Sequence, residues 1–260
     1  MLGYVFLGFG ILWLLYGPTD RSDRIADIAQ YALLWNGLTT TAIIFSYCAA
    51  TSTFPLYDNA FDKWDAALGF HWMNWFRHIQ SHPALNSMFD VAYNSLIPQM
   101  GFSIIYFGHC RLPERNRELL WIALVSVVVT SLLAGIFPAR GAFEYFGVPQ
   151  HALHLAELTA LRTPGADSFS IPNLQGIVTM PSYHAAIAVA LAYVFRGRGW
   201  LFILMAALNF LMLISTLSHG GHYLVDIIGG LMVIGITIAV VRHMQRTQRL
   251  QRTNGTDAAY

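Results

Sequence analysis

The chain has 260 residues, of which 15 are Lys or Arg and 14 are Asp or Glu, so only 11% carry formal charge and the net charge is +1 at pH 7. Soluble domains average roughly 25% charged residues. With 55% hydrophobic residues and a mean hydropathy of +0.48, the few charges must be gathered into short segments, and what lies between is too apolar to face water. This composition excludes a disordered chain, a disulfide scaffold and a polybasic nucleic-acid binder, and it predicts one all-α membrane domain over residues 1–246.

Crossing a hydrocarbon core of about 30 Å takes roughly 20 residues at helical rise. In chain order, the first apolar stretch is 2–17. No basic residue precedes it and no small-x-small cleavage site follows, so it reads as a short span and not as a leader. A second span is expected near 28–50. The segment 57–88 then carries Trp64, Leu68, Trp72, Trp75, Phe76 and Ile79 at helix-like intervals, with Asp62, Lys63, Asp65 and Arg77 between them. Tryptophan favours the headgroup level, which predicts an interfacial helix along the outer leaflet. Further spans are expected near 89–110, 118–138, 180–196, 199–217 and 222–242, followed by a polar, frayed tail over 247–260.

Basic residues are retained on the cytoplasmic side. Arg21, Arg24, Arg111, Arg115, Arg117, Arg196, Arg198, Arg242, Arg246, Arg249 and Arg252 fall on one side of these spans, while Lys63, Arg77, Arg140 and Arg162 fall on the other. The larger group marks the cytoplasm, so the long loops near 51–88 and 139–179 face outward and the carboxyl terminus faces in. An inner (plasma) membrane protein with its polar loops outside is the expected placement. Cys48 and Cys110 lie toward opposite ends of their spans, beyond the roughly 7 Å over which two alpha carbons can be bridged.

Eight of the ten histidines (His71, His78, His82, His151, His154, His184, His219 and His222) fall on the outer side or at outer span ends. His184 follows Met180-Pro-Ser-Tyr, where Pro181 suits the first turn of a helix. His222 stands in Ser218-His-Gly-Gly-His-Tyr-Leu-Val-Asp226. Between them the chain goes in through 180–196 and returns through 199–217, so both histidines reach the same membrane face. His222 and Asp226 are four residues apart and share one helix face, so the carboxylate can hold one imidazole nitrogen and make the other a better nucleophile. An ionisable residue within a span is costly and points to function. Free N–H groups at the start of the helix near Pro181 suit an anion such as phosphate. A rival from another class is a haem- or metal-binding membrane protein, for which His78 and His82 show the four-residue spacing of metal ligands.

These motifs resemble the type 2 phosphatidic acid phosphatase superfamily of membrane lipid phosphatases and phosphotransferases. Met180-Pro-Ser-Tyr-His184 is similar to its second motif, with Tyr183 in place of glycine. Ser215-Thr-Leu-Ser-His-Gly-Gly-His222-Tyr-Leu-Val-Asp226 is similar to its third, with Thr216 where the family has arginine, and the Lys and Arg-Pro of its first motif are not found. Together with Pro55-Leu-Tyr-Asp58, these departures resemble the inositolphosphotransferase branch, which includes inositol phosphorylceramide synthase, over roughly residues 55–240.

The resemblance implies a six-helix core, here with an additional amino-terminal span. It implies His222 as the nucleophile that forms a phosphohistidine, Asp226 as its orienter, His184 as the acid for the leaving oxygen and Ser182 as a phosphate contact, with neither metal nor cofactor. The substrate would be a lipid phosphate or phosphodiester, and water or a hydroxyl would accept the phosphoryl group. Phosphoryl transfer needs positive charge on the equatorial oxygens. Arg140, in Phe137-Pro-Ala-Arg-Gly141, is the first candidate to supply it and His219 the second. Arg162, His151 and His154 are weaker.

Overall fold

A backbone in hydrocarbon must satisfy its own N–H and C=O groups. In the computed structural model, which describes residues 2–16, 23–148, 158–159, 161–162 and 179–257, the apolar runs accordingly form helices, and no strand occurs among the described residues. The helices are α1 (Leu2–Tyr16), α2 (Asp23–Ala50), α3 (Asp58–Ala67), α4 (Trp72–Gln80), α5 (Pro83–Asn94), α6 (Leu96–His109), α7 (Pro113–Ile136), the single turn α8 (Ala142–Tyr145), α9 (Tyr183–Val194), α10 (Trp200–His219) and α11 (Leu224–Asp257). Four are long and apolar enough to cross a membrane: α2, α7, α10 and the Leu224–Thr247 part of α11.

The helix α9 is the pivot. Its 12 residues rise only about 18 Å, less than a hydrocarbon core. It needs no lipid-facing surface, because it touches α6, α7, α10 and α11 and almost all of one face is sealed. Ala185, Ala186, Ala188 and Ala190 are at most 1% exposed, and such small side chains let neighbouring helices approach closely.

Three expectations are corrected in detail. The stretch 89–110 is not one helix: it breaks at Ser95 between α5 and α6. Pro98 cannot donate to the Asn94 carbonyl and its ring crowds that group, so the ladder is interrupted one turn earlier. The aromatic region forms two helices, α3 and α4, joined through Gly69 at φ +79°. Phe61, Trp72, Phe76 and Ile79 turn inward onto the bundle, where the Trp72 indole donates to the Leu217 carbonyl at 2.8 Å. Only side chains such as Trp64 and Leu68 are left on the outside. The tail, expected to fray, continues α11 as helix to Asp257.

One end of α9 carries a cluster of ion pairs. Arg196 grips buried Glu118 of α7 with both carboxylate oxygens in reach, at 2.7 and 2.9 Å, and Arg115 adds a third contact at 3.4 Å. Arg196 also lies over the Tyr193 ring at 3.9 Å, and Arg198 bonds the Tyr106 hydroxyl at 3.1 and 3.0 Å. Cys48 and Cys110 are free.

Candidate functional site

The opposite end of α9 gathers the residues singled out in the sequence. The turn after α9 passes through Gly197 and Gly199, both at positive φ, and sends α10 back alongside α9. His184 in the first turn of α9 and His222, between α10 and α11, therefore meet: their ring centroids are 6.3 Å apart and inclined by 55°. One tetrahedral group can touch both rings across that gap.

Asp226 fixes His222. Its Oδ2 lies 3.3 Å from His222 Nδ1 and accepts a second hydrogen bond, 2.9 Å, from the Tyr223 backbone N–H. The carboxylate is fully buried and its Oδ1 accepts no hydrogen bond among the described residues. A proton on Nδ1, facing the carboxylate, leaves the Nε2 lone pair as the reactive one.

The two motifs are also bolted together through backbone. The Ser182 N–H donates to the Asp226 carbonyl at 2.9 Å. Gly230, one turn on in α11, faces the Ser182 carbonyl and the Ala185 Cβ so closely that no side chain would fit, and Gly229 packs on Met180 and Pro181, whose peptide bond is cis. Ser182 is the N-cap of α9: its Oγ accepts from the Ala185 N–H at 3.2 Å, a bond that uses the oxygen and keeps the O–H as a donor. On the other side of His222, Gly221 adopts φ +64° with Phe143 against it, and its carbonyl accepts from the Ala142 N–H at 2.8 Å.

Two carboxylates whose part was not apparent in the sequence carry this scaffold. Asp58, Phe61 and Asp65 occupy the buried face of α3. Asp58 accepts the backbone N–H groups of Arg140 and Gly141 and the Tyr223 hydroxyl, each at 3.0 to 3.1 Å. Asp65 accepts the first N–H groups of α11, from Leu224 at 2.8 Å and Val225 at 2.9 Å, and so caps the helix that bears Asp226. Burial, assisted by the neighbouring Asp226 and Asp62 charges, pushes the Asp65 carboxyl up to about 6 against the pull of those two N–H bonds. The available signal was the rarity of acidic residues in so apolar a chain, at positions one helical face apart.

Arg140 is carried to this end of the molecule by Asp58, with Ala142 bonded to the residue that precedes His222; its guanidinium is half-exposed and lies 3.6 Å from Glu144. His219 ends α10, with Nδ1 3.0 Å from the Ser218 hydroxyl and its ring near Phe89 and Tyr93. Thr216 is fully buried and its hydroxyl donates to the Leu213 carbonyl at 2.6 Å. Tyr183 inclines toward α7, its hydroxyl 3.5 Å from the Ala123 carbonyl. Tyr93, which sequence reasoning missed because nothing in its local pattern marks it, stacks on His184 at 5.0 Å and 18°. Arg162 bonds the Phe54 carbonyl at 2.7 Å. His151 and His154 lie outside the described residues. His78, in the last turn of α4, and His82, the N-cap of α5, approach each other at 4.5 Å between ring centroids, and His82 Nδ1 is 2.8 Å from the His78 carbonyl.

Comparison with known families finds that a family model described as the PAP2 superfamily matches residues 59–240, from the second residue of α3 to most of α11, and so takes in Asp65, Tyr93, His184, His222 and Asp226 but not Asp58. No curated protein and no solved structure matches the chain.

Proposed function

From the membership of this chain in the PAP2 superfamily, we infer that it is a membrane-integral enzyme that cleaves or transfers the phosphoryl group of a lipid phosphate or phosphodiester through a phosphohistidine on His222. The observation that carries this reading is the facing pair of imidazoles, 6.3 Å apart, one of them held by a buried carboxylate. Neutral His222 attacks phosphorus with Nε2, and the N–P bond forms as the P–O bond to the lipid breaks. His184 gives its proton to the departing oxygen and then, as a base, takes one from the incoming nucleophile. With water as the acceptor the enzyme is a phosphatase. With a hydroxyl the same two steps make a new phosphodiester, the reading supported by the departures at Tyr183 and Thr216 and by the resemblance to inositolphosphotransferases.

The phosphate oxygens need stabilising donors. Arg140, the Ser182 O–H, the N–H groups opening α9 and a protonated His219 at the carboxyl end of α10 would supply them. The division of the basic residues, eleven against four, supports a catalytic end at the outer leaflet and a cytoplasmic carboxyl terminus. No step calls for a metal.

His222→Ala and His184→Ala are each expected to lower turnover of labelled phosphatidic acid or a lipid phosphodiester by at least about 10³-fold while the protein still inserts and purifies. Wild-type protein quenched during turnover should carry a base-stable, acid-labile label that His222→Ala lacks. Wild-type-like rates from either variant would overturn the assignment.

A further inference from the structure

The two imidazoles are held by unequal means. His222 has a carboxylate to fix its ring, with Asp226 Oδ2 3.3 Å from Nδ1. The His184 imidazole makes no hydrogen bond to the described residues. The rings beside it are Tyr93, stacked at 5.0 Å and 18°, and His222, at 6.3 Å and 55°. The last torsion of a histidine is broad, so the side chain does not set its own ring plane. A group that must deliver a proton to one oxygen needs that plane fixed, since a misplacement of about 1 Å can cost about 10²-fold in rate. For His184 the fixing falls to packing, and the ring that lies nearly parallel to it is Tyr93.

Tyr93 is itself firmly seated. It stands one turn after buried Phe89 on α5, and Phe89 stacks on Trp75 at 6.2 Å. Ser95, which follows the last residue of α5, is pinned on both sides: its Oγ donates to the Ala92 carbonyl at 2.6 Å and accepts from Gln99 Nε2 of α6 at 2.8 Å. The Tyr93 ring also reaches the second motif. A Cβ on Gly220 would stand 3.0 Å from Tyr93 Cε2 and 3.0 Å from His222 Cδ2, so a glycine there lets the tyrosine come close to the turn that bears His222. The Tyr93 hydroxyl makes no hydrogen bond among the described residues, so the face of the ring, and not its oxygen, carries the contact.

We propose that Tyr93 is the positioning residue of His184: its stacked face holds the imidazole in the orientation from which it protonates the leaving oxygen. The proposal rests on the reading of His184 as the acid of a phosphohistidine mechanism. In that step the His222 Nε2–P bond forms, the P–O bond to the leaving group breaks, and the His184 proton goes to the departing oxygen. Tyr93 exchanges nothing; it sets how often His184 is aimed correctly. Asp226 and Tyr93 then have parallel tasks, a carboxylate for the nucleophile and an aromatic face for the acid.

The test uses full-length protein in mixed micelles and compares two esters. Phosphatidic acid releases an alkoxide, which needs the acid's proton; 4-nitrophenyl phosphate releases a nitrophenolate, which leaves without one. The readout is kcat/KM, which covers the chemistry up to the phosphohistidine, and its ratio between the two esters. Tyr93→Leu and Tyr93→Met keep apolar bulk but have no flat face. Each should lower kcat/KM for phosphatidic acid about 10²-fold and leave that for 4-nitrophenyl phosphate nearly unchanged. Tyr93→Phe, which keeps the face, should stay close to wild type with both esters. His184→Ala sets the limit of the effect, with a still larger selective loss. A variant that merely folds poorly lowers both rates together and keeps the ratio. A wild-type ratio in Tyr93→Leu or Tyr93→Met, beside a changed one in His184→Ala, would overturn the proposal, and so would a selective loss in Tyr93→Phe. An unchanged ratio in His184→Ala would overturn the acid reading itself, and the proposal with it.

Discussion

The two ends of α9 bury carboxylates by opposite means. At the arginine end, Glu118 is 3% exposed and is neutralised by cations, Arg196 at 2.7 Å and Arg115 at 3.4 Å. At the histidine end, Asp58 and Asp65 are held by backbone N–H groups and a tyrosine hydroxyl, and Asp226 by one N–H and an imidazole. Dipoles satisfy a carboxylate's lone pairs without supplying a full positive charge. The first end is therefore closed as a charge unit and locks α7 to the turn after α9. The second spends no arginine side chain on its three carboxylates, and what it orders is a pair of imidazoles and the start of two helices. The two ways of handling buried charge are thus separated by the length of one short helix.

The comparison is broken most severely at Asp226. Asp226→Asn should leave the fold in place but lose the acceptor that holds the His222 proton on Nδ1, and turnover should fall by as much as about 10⁴-fold, the loss seen when a triad carboxylate is made an amide. If phosphate release by purified Asp226→Asn stays within a few-fold of wild type, Asp226 is a packing residue like Asp58 and the two ends differ less than argued. At the arginine end the expected loss is of stability. Glu118→Ala leaves Arg196 in a protein environment without its counter-charge, and removing one partner of a buried pair costs about 3–5 kcal/mol. Arg196 is itself about a third exposed, so the lower figure is the better expectation. Thermal unfolding in detergent measures it; the turnover of the protein that remains folded should be close to normal, and a selective loss of turnover would sink the separation of roles.

How much of this was legible in the sequence follows from the range of the interactions. The apolar runs that became α2, α7, α10 and α11 announce themselves, because hydrocarbon demands about 20 charge-free residues in succession. That His184, His222 and Asp226 come together was legible too: parity of spans returns both histidines to one face, and a four-residue spacing is local. The break at Ser95 has its local signal in Pro98, which sits inside the continuous hydropathy of 89–110. What could not be read is contact at long separation. Asp58 reaches Tyr223 across 165 positions and Asp65 reaches Leu224 across 159, and α3 was expected to rest on lipid because an amphipathic helix shows an apolar face without saying what covers it. Tyr93 stacks on His184 from a different helix for the same reason.

A smaller effect should come from the join between the two motifs. Gly230 lets the Ser182 carbonyl approach α11. Gly230→Ala adds a methyl group where backbone already sits, and overpacking of this kind costs about 1–3 kcal/mol. Because the atom displaced belongs to the residue that caps α9, the shift should also move His184, and turnover should fall by more than stability alone explains. Gly235→Ala, on the same helix with open space around it, is the control. Equal activity in the two variants would show that the motifs are not coupled through this contact.

The smallest expected effect tests whether the histidine end truly holds its carboxylates with dipoles alone. The Asp65 carboxyl stands at about 6, above its ordinary 3.8, because burial outweighs the two N–H bonds from Leu224 and Val225. The native state therefore binds the Asp65 proton more tightly than the unfolded chain does, so this group's contribution to stability is complete below about pH 4 and is lost as the pH rises through about 6. Asp65→Asn cannot titrate. The stability of the wild type relative to Asp65→Asn, followed by thermal unfolding in detergent, should decline from pH 4 to pH 7 and then level off. A cation near Asp65 would reverse the trend, since it would hold the carboxyl below its ordinary value; a difference that rises with pH would place at the histidine end the same kind of ion pairing that Glu118 shows at the other.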